Sequence, residues 1–136
     1  MRKDIYENLN TSKKLIKTYL TEARERIGAA KILFKERKLR DSISRSYYAF
    51  LEAARAALLT KGKMAKTHAG TLTLFDIEFG KTKLIPAELI KFYRQILKAR
   101  MDADYELLRK FSEEEVKEAI KMAEEFVSFV EKNIIK

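Results

Sequence analysis

Apolar positions recur at steps of three and four along nearly the whole chain, the spacing of helices that bury one face. Leu15, Ile16, Leu20, Ala23, Ile27, Ala30 and Phe34 form the first such stripe. It predicts a long helix running from a cap at Asn10 or Thr11 to the charged run 35–40. A second helix is expected to start with Asp41 as its cap and to turn Ile43, Tyr47, Phe50, Leu51, Ala54 and Leu58 inward. Gly62 ends it, because glycine enters the left-handed conformation without a Cβ penalty. Residues 63–85 are less regular; there Thr67 caps a short helix through Leu72, Phe75 and Phe79, stopped by Gly80. Pro86 suits the first turn of a fourth helix, where its missing N–H costs nothing, with Leu89, Tyr93, Ile96, Ala103 and Leu107 on the inner face. Ser112 and Glu115 spell a capping box for a fifth helix, whose stripe is Val116, Ile120, Ala123, Val127, Val130 and Ile134. Phe126 and Phe129 widen that stripe beyond what one core requires, so a dimer seam is expected there.

The predicted fold class is all-α: an antiparallel up-and-down bundle of four long helices plus one short helix, forming a single domain over residues 1–136. A chain of 136 residues can bury one core but not two. With 46% hydrophobic and 36% charged residues, 4 Gly and 1 Pro, disordered and loop-rich classes are excluded. The absence of cysteine removes disulfide scaffolds, cysteine zinc sites and thiol chemistry, and makes an intracellular, cytoplasmic protein the expectation. The opening MRKDIYENLN has no signal-peptide run, and no stretch approaches the ~18 apolar residues of a membrane span.

Charge changes the picture because it is lopsided. Residues 1–66 carry 17 Lys and Arg against 7 Asp and Glu, a net +10, whereas residues 67–136 carry 12 against 13. A basic half of this kind either attracts a polyanion, RNA above all, or forms a solvated lysine-rich surface.

The inner series of the fourth helix passes through position 100, and the residue there is Arg100. A guanidinium on a core-facing stripe costs several kcal/mol unless it is paired or opens onto a cleft. Asp104, one turn on, offers a counter-charge, so one reading is an internal ion pair. The other is an arginine held in a groove to bind phosphate through two of its N–H groups. Tyr105 follows directly and can bond a phosphate oxygen, stack on a base or fill the core. On the second helix Arg45, Tyr48, Glu52 and Arg55 form a polar ridge, either a solvated face or the mixture of cation and ring that nucleic-acid surfaces use. His68, the only histidine, is a structural residue at a helix start or a proton-transfer group. Asp102, Asp104 and Glu106 point to different sides of a helix, so no metal site is expected, and no glycine-rich phosphate loop, G-x-S-x-G or dinucleotide fingerprint occurs, so no cofactor is expected.

The long first helix, SRSYYAFLEAARAALL at 44–59, THAGT at 67–71 and RMDADYE at 100–106, in that order and spacing, resemble the HEPN domain superfamily, in its branch of small stand-alone prokaryotic proteins. The likeness runs from about Leu15 to Leu108. It implies a bundle of four or five helices, a homodimer facing across the groove of the fourth-helix motif, and in many members metal-independent ribonuclease activity from an Arg-x4–6-His motif. It also implies toxins, or partners of a minimal nucleotidyltransferase. Arg100 matches the motif arginine; Tyr105 stands where the histidine would be with a four-residue spacer. A phenol of pKa about 10 exchanges protons poorly at pH 7, so phosphate binding should survive this departure better than catalysis. Related toxins carry a tyrosine in this region that the partner enzyme modifies with AMP, which makes Tyr105 a candidate for modification.

Three readings follow. In the first, a homodimer binds RNA or a nucleotide in a groove lined by Arg45, Tyr48, Arg100, Asp104 and Tyr105, and works with a minimal nucleotidyltransferase. In the second, a ribonuclease toxin uses Arg100 as the cation and Tyr105 or His68 for proton transfer. In the third, a helical scaffold binds no nucleic acid, and Arg100 and Asp104 pair internally.

Overall fold

Helices form where the apolar stripes predict them. A computed structural model describes the backbone of residues 2–135 and the side chains of residues 12–135. It shows α1 at Arg2–Lys35, α2 at Leu39–Leu59, α3 at His68–Phe75, α4 at Ala87–Tyr105 and α5 at Glu113–Phe129, with no strand among the described residues. α1, α2, α4 and α5 are the long members of the bundle; α3 is the short one. No helix of the described residues is long and apolar enough to cross a membrane.

Local chemistry sets most helix ends. Thr67 Oγ1 accepts the Gly70 N–H at 2.8 Å and starts α3. Ser112 and Glu115 close the capping box of α5. Gly62 sits at φ 65°, and beside it the Lys63 N–H reaches back to the Leu58 carbonyl at 3.0 Å. Other ends differ from expectation. α1 begins at Arg2 because residues 2–9 contain no glycine or proline to stop it. Asn10 and Thr11 therefore lie within α1, and their side chains fall outside the described residues. α2 starts at Leu39 after Lys38, which makes no side-chain cap, so Asp41 lies in the first turn instead. Pro86 occupies the position just before α4. After α3 and after α5 the helix widens into single turns of the i to i+5 type, Asp76–Gly80 and Val130–Ile134.

α2 is the centre of the bundle. Of its 21 residues 13 are buried, more than one amphipathic face supplies, and it packs against α1, α3, α4 and α5. Ala49, Ala53, Ala54, Ala56 and Ala57 are fully buried and allow this close approach. At the core, Phe50 of α2, Phe75 of α3, Tyr93 of α4 and Phe126 of α5 pack in tilted and edge-on pairs with ring centroids 4.6 to 6.1 Å apart. Such pairs contribute about 0.5–1.5 kcal/mol each beyond the area they bury. Phe126, expected to help form a dimer seam, is thus spent inside its own chain, and Phe129 is half-buried against the same core.

α4 stops at Tyr105, two residues before Leu107, the last residue expected on its inner face. Glu106 turns to φ −113°, ψ 92°, and Leu107, predicted to face inward, is 89% exposed. The cause lies on α2: the Arg40 guanidinium donates to the carbonyls of Ala103 at 2.6 Å, Glu106 at 3.2 Å and Arg109. A helix C-terminus leaves carbonyls unpaired and carries partial negative charge, and a planar cation answers both. Arg40→Ala should therefore cost about 1–3 kcal/mol and lower the thermal midpoint by several degrees, with Arg40→Lys restoring little because an ammonium lacks the fork. Equal midpoints for wild type and Arg40→Ala would refute this role.

Candidate functional site

The central position of α2 dictates what happens to its polar ridge. Glu52 is only 7% exposed, and Arg45, Tyr48 and Arg55 are half-buried. The ridge is therefore not a solvated face; its groups are enclosed between α1, α3 and α4. Burial raises the Glu52 carboxyl above its usual range, against the pull of Arg55 and Arg26.

Arg100 comes to this ridge from α4. Its side chain is 20% exposed; Nη2 donates to the Tyr48 hydroxyl at 3.0 Å, and Nε lies 3.0 Å from Asp104 Oδ2. The Nε–H makes no hydrogen bond, so the carboxylate neutralises the charge without satisfying that donor. The guanidinium carbon also stands 5.7 and 5.5 Å from the ring centroids of Tyr47 and Tyr48, within cation–π range.

His68, first residue of α3, packs on the same two rings, with centroids 5.6 Å from Tyr47 and 5.8 Å from Tyr48. Burial, then the nearby Arg100, push its pKa below the usual 6.5, which keeps the imidazole neutral at pH 7. Burial drives the Tyr47 phenol far up, partly offset by Arg100.

Beside this cluster opens a cleft of about 660 Å³, lined by Arg26, Leu33, Asp41, Ser44, Arg45, Tyr48 and Asp104. Five residues singled out from the sequence meet here: Arg45, Tyr48, His68, Arg100 and Asp104. Tyr105 does not join them. It is 78% exposed on the last turn of α4. Arg26 was missed, although the signal was present: it falls three residues after Ala23 and four before Ala30, on the buried stripe of α1. Its guanidinium carbon lies 5.5 Å from the Tyr48 ring centroid. Tyr47, read only as core, forms the floor on which Arg100 and His68 rest. Among the described residues, no group of three or more His, Cys, Asp or Glu is placed to hold a metal ion.

The arrangement joins a half-buried guanidinium, a neutral imidazole, a phenol hydroxyl and an open cleft, which together suit an anion bearing hydrogen-bond acceptors. Comparison with known proteins adds the family context. The chain matches the HEPN domain family over residues 16–133. A UPF0332 protein of Thermotoga maritima is 39% identical over 126 residues, covering 93% of this chain and 96% of that one. From Methanocaldococcus jannaschii, a protein named "Putative toxin MJ0605" is 35% identical over 97% of this chain and 92% of its own length. A second from the same organism, "Putative toxin MJ0142", is 27% identical over 91% and 88%.

The two adjacent tyrosines give a stability test. The Tyr47 hydroxyl is buried without a partner, so Tyr47→Phe should leave stability unchanged or raise it by about 1 kcal/mol, whereas Tyr48→Phe removes the acceptor of Arg100 and should cost about 1 kcal/mol. Thermal melts of the two variants showing the opposite order would contradict the assigned bonding.

Proposed function

The chain belongs to the HEPN domain family, and from that premise we propose that it is a toxin-like protein binding the phosphates of RNA or a nucleotide in the groove around Arg100. In this reading residues 1–136 act as one domain, as a homodimer and beside a minimal nucleotidyltransferase. The names of two relatives support the toxin-like reading, and the family supports the partner and the pairing. The observation that carries the proposal is the state of Arg100, a cation withdrawn from water whose Nε–H has no acceptor and whose carboxylate partner lines an open cleft. A phosphate supplies the two coplanar oxygens that Asp104 does not. Tyr48 positions the fork. Tyr105, exposed on the same helix, offers a ring to a base or a hydroxyl to a modifying partner.

Binding of labelled single-stranded RNA, measured by filter retention, tests the proposal. Wild type should bind with an affinity that falls steeply between about 50 and 200 mM salt, and Arg100→Ala should weaken it about tenfold or more. Salt-independent binding, or an Arg100→Ala variant that folds and binds as wild type does, would remove the phosphate claim.

His68 favours a second reading, a metal-independent ribonuclease. A neutral imidazole beside Arg100 can take the proton of a ribose 2′-OH; the 2′-oxygen then bonds to phosphorus as the bond to the 5′-oxygen breaks, and that oxygen collects a proton from water. Arg100 meets the charge that builds on the phosphoryl oxygens. Cleavage should persist in EDTA, fall only at a pH more acid than the ordinary imidazole range because burial and Arg100 keep the ring neutral, and be lost in His68→Ala with RNA binding retained. Intact RNA after incubation with folded wild type would exclude it.

A further inference from the structure

Arg26 and Arg100 share an unusual state. Each has its guanidinium carbon 5.5 Å from the Tyr48 ring centroid, and in each Nε is buried with no hydrogen-bond partner. The ion-pair partner of Arg26 is Glu22 on the same helix at 3.8 Å, too long for a charge-assisted hydrogen bond. Glu52 also acts on Arg26, but from a buried position that holds its proton more tightly than usual. Arg45, the neighbouring cation on the cleft wall, has no ion pair among the described residues.

The arginines divide into two sets. Arg26 and Arg45 line the cleft itself, from α1 and α2. Arg100, from α4, stands behind Tyr48 and Asp104, which form the cleft wall on its side. One phosphate engaged by Arg100 therefore leaves Arg26 and Arg45 unanswered, yet two guanidinium groups this near one ring lie within the span of two linked phosphates.

We propose that Arg26 and Arg45 form a second phosphate subsite beside Tyr48, so that the groove takes a single-stranded oligoribonucleotide with two successive phosphates engaged rather than a mononucleotide. The inference rests on the reading that Arg100 binds a phosphate, and it adds the substrate class. Tyr48 sits between the subsites, its hydroxyl committed to Arg100 and its ring available to both cations. A single strand suits the site because one narrow groove with one ring engages one backbone, and a base on that backbone can turn away or stack.

The test uses the full chain and two probes, a short oligoadenylate RNA and adenosine monophosphate. Binding is measured by filter retention for the first and equilibrium dialysis for the second. Arg26→Gln and Arg45→Gln keep polarity and length near the original, and melting curves verify that each folds. Each should weaken the oligonucleotide about tenfold and reduce its salt slope by about 0.7, the loss of one phosphate contact on a single strand, while leaving the mononucleotide within about twofold. Arg100→Gln should weaken both probes. Unchanged oligonucleotide affinity and salt slope in folded Arg26→Gln and Arg45→Gln, with Arg100→Gln still impaired, would overturn the second subsite and leave the first reading standing. Equal losses on the two probes would merge the arginines into one site and also overturn it. Failure of wild type to bind either probe, or an Arg100→Gln variant equal to wild type, would take down the first reading, and the second subsite with it.

Discussion

The close approach of every neighbouring helix to α2 is the constraint on which the rest depends. A helix carrying leucines at Ala49, Ala53, Ala54, Ala56 and Ala57 would hold its neighbours at the wider end of the usual interaxial range and leave its polar side in water. Small residues draw α1, α3 and α4 inward. The ridge Arg45, Tyr48, Glu52 and Arg55 then has nowhere to go but into narrow, partly dry space. The polar cluster is in this sense a by-product of packing: the methyl groups that tighten the core also desolvate the charges beside it. In such surroundings each charge interacts more strongly with its neighbours than it would on a free surface, and each unpaired donor costs more.

That tightening explains which parts of the chain were legible from the alphabet alone. The stripes of α4 and α5, the Thr67 cap and the Ser112–Glu115 box follow local rules, and local rules hold wherever a helix end faces solvent. Arg100 was visible for the same reason, an ion on an apolar stripe. Arg26 obeys the same periodicity on α1 and differs only in being surrounded by other charged residues, Arg24 and Glu25 among them, which hides a single inward cation in a polar context. What one helix cannot reveal is the partner it meets. The end of α4 is decided by Arg40, more than sixty residues earlier, and no pattern within 100–110 carries that information. Phe126 was likewise judged surplus because the ring cluster that consumes it draws members from α2, α3 and α4.

Arg100 and Asp104 pair at 3.0 Å, but the pair leaves one buried donor without a hydrogen-bond partner. A buried ion pair compensates its desolvation only when geometry is good and the remaining donors are satisfied. Here the Nε–H has no hydrogen-bond acceptor, the carboxylate is more exposed than the arginine, and it lines open space. Under the proposed reading this counter-ion is displaced, since an incoming phosphate would release Asp104 to the open cleft and gain the forked contact. The aspartate then keeps the cation tolerable in the free protein without occupying it permanently. Tyr48 adds to this arrangement, since its hydroxyl holds one N–H group of Arg100 in place.

The separation of Tyr105 from this cluster bears on how family motifs should be read in structural terms. A motif of arginine and a residue five places later assumes that both lie on one helical face, yet five residues advance the helix by well over a full turn, and α4 stops at Tyr105. The imidazole this cluster does contain arrives by another route, through α3, whose start is fixed by Thr67 and whose first residue is His68. Proton-transfer capacity therefore sits beside Arg100 although the motif position holds a phenol. Tyr105, outside the interior, is presented to solvent on the last turn of a helix whose closing carbonyls Arg40 caps, away from the groups that surround Arg100.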